Sequence, residues 1–232
     1  MEKKININII SAYCKNYGIG FNNKMPWKFK SDLIKFKNLT IGNKNNAIIM
    51  GKNTWVSLNN QSLKNRDNLI LSKSIVIDYL NNNNIIKSFD TYENLYKFLI
   101  LKEYETVWII GGESIYKLFF DLHYKNTLFY IDKIYITYIN KIYQCDTFFP
   151  KLDSNKFKFI SNEIHKDLNN SNNFITINDN DVKKTNINTN TNTNTNYNEK
   201  NDNDNDNDND NDNDNDNLQN KYILFDILYK SI

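Results

Sequence analysis

One carboxylate is marked out by its neighbours. In the stretch Gly18 to Phe36, GIGFNNKMPWKFKSDLIKF, Asp32 falls on one helical stripe with Phe36 and Leu39, and Leu33 lies beside it. A carboxylate on an apolar stripe is costly unless it has a partner or a proton. Burial raises its pKa and makes it a usable acid, or a hydrogen-bond acceptor for a ligand. The same position is also the first turn of a helix, where the dipole favours an acid with no ligand present. This stretch alone leaves both readings open.

The glycines suggest a second kind of chemistry. All six precede residue 113. Gly18 and Gly20 flank Ile19, Gly51 ends one apolar run, and Gly111-Gly112 end another just before a helix. Glycine between a strand and a helix lets backbone approach a ligand, and a helix N-terminus attracts phosphate. Neither glycine pair is the G-x-G-x-x-G fingerprint, and each also reads as a plain turn. Lys52, Asn53 and Thr54 follow Gly51 at a helix start, where an ammonium and a hydroxyl suit a second phosphate. Ser72 and Lys73 follow the neighbouring strand and could share it. Two phosphate sites and a glycine loop suggest a dinucleotide carrying an extra phosphate. Arg66 offers a fork able to grip a ligand carboxylate bidentately, or is a surface arginine. No Ser-His-Asp or Cys-His signature occurs, His123 and His165 have no carboxylate close in sequence, and nothing supports a metal site.

The elements that must position these groups follow from periodicity. Residues 5–12 read as a buried strand, and a helix starts after Pro26 and ends near Gly42, a C-cap glycine. Ala47 to Gly51 reads as a central strand, followed by a short helix from Lys52. Asn68 to Ser72 is the next strand, and Ile85-Ile86 another, after an Asn-rich turn at 81–84. A helix spans Thr91 to Leu101 with Thr91 as its cap. Val107 to Ile110 is an apolar strand that meets Gly111-Gly112, and a helix opens near Ser114. Lys133 to Ile139 alternates as a strand nearer an edge, and 157–165 and 222–229 form an antiparallel pair. This order predicts an α/β domain with helices on both faces of the sheet.

At 232 residues the chain suits one domain with a sizeable core. Residues 170–217 interrupt it with Asn-Thr and Asn-Asp alternations, which bury too little apolar area to offset ordering entropy. They are expected to be a disordered insertion between the last two strands. Residues 166–217 carry a net charge of −8 and the remainder +10. A basic body favours polyanionic ligands, phosphates among them, although a Lys-rich coding bias explains it equally. Scattered Lys without an Arg-rich stripe argues only weakly for nucleic acid, which is not expected as a partner. Only Cys14 and Cys145 occur, with no CxxC, and no segment is apolar enough for a signal peptide or membrane span. The expected setting is the reducing cytoplasm, with no membrane association.

Taken together, GIGFNNKMPW, SDLIKFK, AIIMGKNTWVSL, NLILSK, IIGGESIY, IYITYI, CDTFFP and KYILFDILYK resemble dihydrofolate reductase, in the family's order and spacing. The resemblance covers all of the chain except the insertion. It implies a three-layer α/β fold, with a mostly parallel central sheet of about eight strands, an antiparallel C-terminal strand and helices on both faces. It implies NADPH-dependent reduction of 7,8-dihydrofolate to tetrahydrofolate for one-carbon metabolism and thymidylate synthesis, by a monomer. Asp32, Trp27, Tyr116 and Thr137 would form the catalytic set, with Thr137 bracing Asp32. Ile10, Ala12, Asp32, Leu33, Phe36, Ser57, Leu58, Leu63, Arg66, Ile110, Tyr116 and Thr137 would contact the substrate, with Arg66 on its glutamate tail. For NADPH, Ala12 and the loop Gly18, Ile19, Gly20, Phe21, Asn22, Asn23 and Lys24 would flank the nicotinamide, with Met25 on a mobile lid. Gly51, Lys52, Asn53, Thr54, Leu71, Ser72, Lys73 and Ser88 would take the adenosine side and its 2′-phosphate. Ile110, Gly111, Gly112, Glu113, Ser114, Ile115 and Tyr116 would receive the pyrophosphate, with a cis peptide inside the Gly-Gly pair.

Two departures from the family pattern bear on this. Pro-Leu-Pro-Gly-Arg reads Ser62-Leu63-Lys64-Asn65-Arg66, which predicts a looser arginine loop. Cys145 replaces the glycine usual before Asp146-Thr147, which predicts a strained turn near the lid. Two rivals stand beside the main reading. One is a reductase of the same fold acting on a pyrimidine ribosyl intermediate of flavin biosynthesis, which is not expected to combine Asp32, Phe36 and Arg66. The other is a catalytically degenerate folate- or RNA-binding module.

Overall fold

The computed structural model describes residues 3–165 and 224–232. In chain order the elements are β1 (Ile5–Cys14), β2 (Gly18–Gly20), α1 (Lys30–Ile41), β3 (Asn46–Gly51), α2 (Lys52–Ser57), β4 (Asp67–Leu71), β5 (Asp78–Asn81) and β6 (Asn84–Phe89). They continue with α3 (Tyr92–Leu99), β7 (Thr106–Gly111), α4 (Glu113–Tyr124), β8 (Phe129–Ile139), β9 (Thr147–Phe148), β10 (Phe157–His165) and β11 (Leu224–Ser231). Nine strands form one sheet in the order β10-β11-β8-β1-β7-β3-β4-β6-β5, and β2 pairs with β9 apart from it. Strands β8, β1, β7, β3, β4 and β6 run parallel, while β11 is antiparallel to β8, β10 to β11, and β5 to β6. The sheet is therefore mostly parallel with an antiparallel C-terminal strand, as the sequence predicts.

The parallel interior follows from strands that are apolar on both faces. Every residue of β3 is buried. Ile48 and Met50 join a cluster with Ile10, Trp55, Ile70, Ile86 and Trp108, against which α1 packs Phe36 and Leu39. Ile49 points to the opposite face, into a larger cluster that takes Leu95 and Leu99 from α3 and Ile115, Phe119 and Phe120 from α4. Each fully buried Ile or Leu contributes roughly 1.5–3 kcal/mol, so these two layers dominate the stabilisation.

Local signals set the boundaries. Thr91 caps α3 by accepting the Asn94 N–H at 3.2 Å. Gly42 closes α1 at φ +49, donating its N–H to the Asn38 carbonyl. Helix α1 begins at Lys30, a full turn beyond Pro26, because Phe29 stays extended. Strands β2, β5 and β9 carry no local sequence pattern that predicts them. β5 pairs with β6 through a two-residue turn in which Asn82 and Asn83 both take positive φ, a conformation Asn tolerates. All four β5 residues are exposed, so it has no buried alternation to read. The insertion at 170–217 lies outside the described residues. Among the described residues, no helix is long and apolar enough to cross a membrane.

Candidate active site

Strands β1, β7, β3 and β4 run parallel, and α1 and α2 pack on the same face of them. Phe36 and Leu39 from α1, Leu58 at the end of α2, Leu63 from the next loop and Ile110 from β7 all pack on the cluster that contains Ile10 and Trp55. Expected substrate contacts far apart in sequence thus meet on one apolar surface. Leu33, 42% exposed, stands one turn before Phe36. Asp32 sits half-buried in the first turn of α1. Trp27 belongs to a separate small cluster with Cys14, Phe29, Ile139 and Leu224, with Ala12 at its margin. The Trp27 ring is 7% exposed, and its buried Nε1–H has no acceptor among the described residues. A buried donor in that state is of the kind that a bound ligand or an ordered water satisfies.

Two expected catalytic residues are anchored to the sheet. Tyr116 donates its hydroxyl to the Ile10 carbonyl at 2.9 Å. Burial holds this phenol above its ordinary range, so it stays a neutral donor. Thr137 lies in β8, opposite Ala12 of β1 and Asp226 of β11. Its Oγ1 is 3.4 Å from Asp226 Oδ1 and 3.5 Å from Lys35 Nζ, and Lys35 is ion-paired with Asp226. The Lys35–Asp226 pair was missed from sequence; the only signal was an acid inside the apolar run ILFDILY. Ser57 spends its hydroxyl on its own helix, donating to the Thr54 carbonyl at 2.7 Å.

Arg66 is 4% exposed rather than a surface arginine. It donates from Nη1 to Thr40 Oγ1 and to the Lys37 carbonyl, and its guanidinium lies 5.5 Å over the Phe36 ring. Nε is buried without a partner among the described residues, and burial lowers the pKa to about 10. Asn68 holds the arginine loop: it accepts the Leu63 N–H at 2.8 Å and donates to the Leu63 and Arg66 carbonyls at 2.9 and 2.8 Å. Asn65 takes φ +61 where the pattern has glycine. The loop is thus tied down by side-chain hydrogen bonds, not loosened.

The ends of β3 and β7 bring two glycines together. β3 and β7 are neighbours and pass into α2 at Gly51 and into α4 at Gly112, and neither helix has a side-chain cap. A Cβ on Gly51 would come within 2.8 Å of Ile115 Cγ1, and one on Gly111, at φ +110, within 3.0 Å of the Tyr116 ring. A Cβ on Gly112 would stand 3.4 Å from Thr54 Oγ1, which puts the two helix starts side by side. The Gly111-Gly112 peptide is cis, as expected. Lys52 and Asn53 are exposed, and Lys52 Nζ donates to Ser74 Oγ at 3.0 Å, drawing α2 toward the loop after Leu71. In that loop Ser72 Oγ accepts the Ser74 N–H and Lys73 is exposed. Ser88, near the end of β6, uses its hydroxyl to accept the Ile77 N–H at 2.9 Å. Ser114 is exposed at the start of α4. Burial alone would raise the Glu113 pKa, but hydrogen bonds from Lys117 and the Phe148 N–H outweigh it and hold the carboxyl below its usual range.

The glycine loop closes this side. Gly18 and Gly20 pair with Phe148 and Thr147, leaving Ile19 half-buried between them. Phe21 and Lys24 bond each other's backbone across Asn22 and Asn23, both at positive φ. The Asn22 N–H donates to Asp146 Oδ2 at 2.8 Å. Met25 is half-exposed beyond the turn. Cys145 does not take a positive φ, so the expected strained turn is not there.

The family profile described as "Dihydrofolate reductase" matches residues 6–180 of this chain. The chain belongs to the dihydrofolate reductase family. It is 32% identical over 167 residues to a dihydrofolate reductase from Heliothis virescens, covering 69% of this chain and 87% of that one. It is 37% identical over 171 residues to one from Buchnera aphidicola subsp. Schizaphis graminum (72% and 94%), and 34% over 163 residues to one from Sus scrofa (67% and 84%). Dihydrofolate reductases use a nicotinamide cofactor. The residues here fit such a group: the starts of α2 and α4 lie side by side without side-chain caps, and Gly51 and Gly111 let the backbone there pack directly against Ile115 and Tyr116.

Proposed function

We propose that this protein reduces 7,8-dihydrofolate to 5,6,7,8-tetrahydrofolate with NADPH, as a cytoplasmic monomer supplying one-carbon metabolism and thymidylate synthesis. The observation that carries the reading is the gathering of Ile10, Phe36, Leu58, Leu63 and Ile110 on one apolar surface beside the helix that bears Asp32. When bound, NADPH supplies the hydride, from nicotinamide C4 to pterin C6. Leu33, Phe36 and Leu58 hold the pterin and aminobenzoyl rings and exclude water. Asp32 hydrogen-bonds the pterin and assists protonation at N5, which makes the adjacent C=N a better hydride acceptor. Thr137 and Trp27 position that carboxylate and pterin, and Tyr116 fixes the β1 backbone at Ile10. Arg66 pairs with the carboxylate of the glutamate tail. Ala12 and residues 18–24 flank the nicotinamide. The start of α4 receives the pyrophosphate, and Lys52, Asn53, Thr54, Ser72 and Lys73 take the 2′-phosphate side.

The test is loss of NADPH absorbance on adding dihydrofolate to the purified chain. Well-folded protein with no turnover would leave a folate-binding module instead. Asp32→Asn should cut hydride transfer by roughly 10²–10⁴-fold at neutral pH, and less at acid pH, where solvent supplies the proton. A wild-type rate with no pH dependence in that variant would remove Asp32 from its role.

A further inference from the structure

The chain has two cysteines, 131 positions apart, and the fold brings them together at the base of the glycine loop. Cys14 ends β1 and is fully buried; Cys145 precedes β9 and is partly exposed. Their sulfurs stand 3.9 Å apart. Gly18 makes the room: a Cβ there would lie 2.3 Å from Cys145 Sγ and 3.1 Å from Cys14 Sγ. The Cys145 that departs from the family's glycine is thus accommodated against a glycine on the opposing strand, beside the second thiol. Cys14 donates to Asn16 Oδ1 at 2.7 Å, and Asn16 Nδ2 donates to the Tyr143 carbonyl at 3.2 Å, a second tie between the same two segments. The residue after Cys145 holds the loop: the Asp146 N–H donates to the Gly20 carbonyl at 3.0 Å, and its carboxylate takes the Asn22 N–H.

We propose that Cys14 and Cys145 are a thiol–disulfide exchange site, in which a low-molecular-weight disulfide converts the pair to an internal disulfide that fixes the base of the 18–24 loop. The partly exposed Cys145 thiolate attacks one sulfur of the reagent, RSSR, whose S–S bond breaks and releases one RSH. Cys14, its proton lost to solvent, then attacks Cys145 Sγ and releases the second RSH. Two protein thiols are oxidised and one RSSR is reduced to two RSH. The sulfurs must close from 3.9 Å to about 2 Å, a movement within reach of side-chain rotation. Burial and the adjacent Cys14 thiol push Cys145 up to about 11, with Asp146 adding to the rise and the Gly20 backbone opposing it; Tyr138 of β8, itself raised first by burial, also interacts electrostatically with Cys14. The first step is therefore slow at neutral pH and accelerates about tenfold per pH unit below that value.

The disulfide itself does not depend on the proposed reductase activity; its effect on turnover does. The full chain is incubated with glutathione disulfide at pH 7, 8 and 9, and intact mass is read under denaturing conditions. The expected result is a species lighter by two hydrogens with no titratable thiol, formed faster at each higher pH. Cys14→Ser should stop at a single glutathione adduct on Cys145, and Cys145→Gly should form no such product. The oxidised chain should melt roughly 5–15 °C higher, since the bond closes a loop of more than a hundred residues. NADPH-dependent turnover should fall severalfold and return with dithiothreitol, and Cys145→Gly should not respond. A wild-type chain that stays reduced or ends as glutathione adducts at pH 9 overturns the proposal. Complete oxidation with unchanged turnover overturns the coupling to the loop. Absence of turnover in the reduced chain instead counts against the reductase reading and leaves the mass result standing.

Discussion

Arg66 is the only arginine in a chain whose other permanently cationic side chains are lysines, and it is among the most buried charged groups of the described residues. The choice is physical. A guanidinium is less strongly hydrated than an ammonium, so it tolerates burial over Phe36, and its fixed fork can serve Thr40 and a ligand together. Arg66→Lys keeps the charge but loses the fork. We expect the KM for dihydrofolate to rise roughly ten- to hundredfold, with kcat and the KM for NADPH nearly unchanged, in steady-state kinetics. A substrate lacking the glutamate tail should not distinguish the two proteins. Residue types in sequence suggested a carboxylate fork, but not its burial, because Thr40 and Lys37 come from a different element. The same limit hid the Lys35–Asp226 pair and the closeness of Cys14 and Cys145: each is a contact between distant segments that no local pattern encodes.

At the scale of elements, α4 is clamped to β8 by His123, in the last turn of the helix. Its Nδ1 accepts the Ile131 N–H at 3.2 Å, and its ring stacks on Phe157 at 5.2 Å. Burial, with Lys156 and Lys4 nearby, lowers its pKa. Because the folded value lies below the unfolded one, the unfolded chain binds the proton more readily. The associated stability is complete above the unfolded pKa of about 6.5, is lost as pH falls below it, and levels off below the folded pKa. Urea midpoints should therefore drop between pH about 7.5 and 6 in the wild type and drop less in His123→Asn, measured by fluorescence. Elements with strong periodicity or a cap, such as α3 behind Thr91 and the apolar β3 and β7, were legible in sequence. β5 and the β2–β9 pair were not. The first is exposed throughout, and the second has three residues on one side and two on the other, so backbone pairing rather than side-chain burial defines them.

At the scale of the whole molecule, composition predicts that residues 170–217 contribute nothing to the core. The register brings His165 opposite Leu224, so a short connection can join β10 and β11. Deleting 170–217 should leave turnover within about twofold and raise stability by about 1–2 kcal/mol through a smaller loop-closure entropy, read by urea denaturation and the NADPH assay. Collapse of the fold would show that the segment is structural.

The strand order has a consequence for biosynthesis. β11, which leaves the ribosome after β8 and β10, lies between those two rather than outside them. While residues 224–231 are still inside the exit tunnel, β8 has an open flank and β10 has no neighbour at all. A nascent chain can assemble the parallel half around β1, β7 and β3, but this flank zips shut only once residues 224–231 have emerged. A stop codon placed before Leu224 would therefore remove more than one strand: it would leave β10 without its neighbour and Thr137 without the carboxylate beside it.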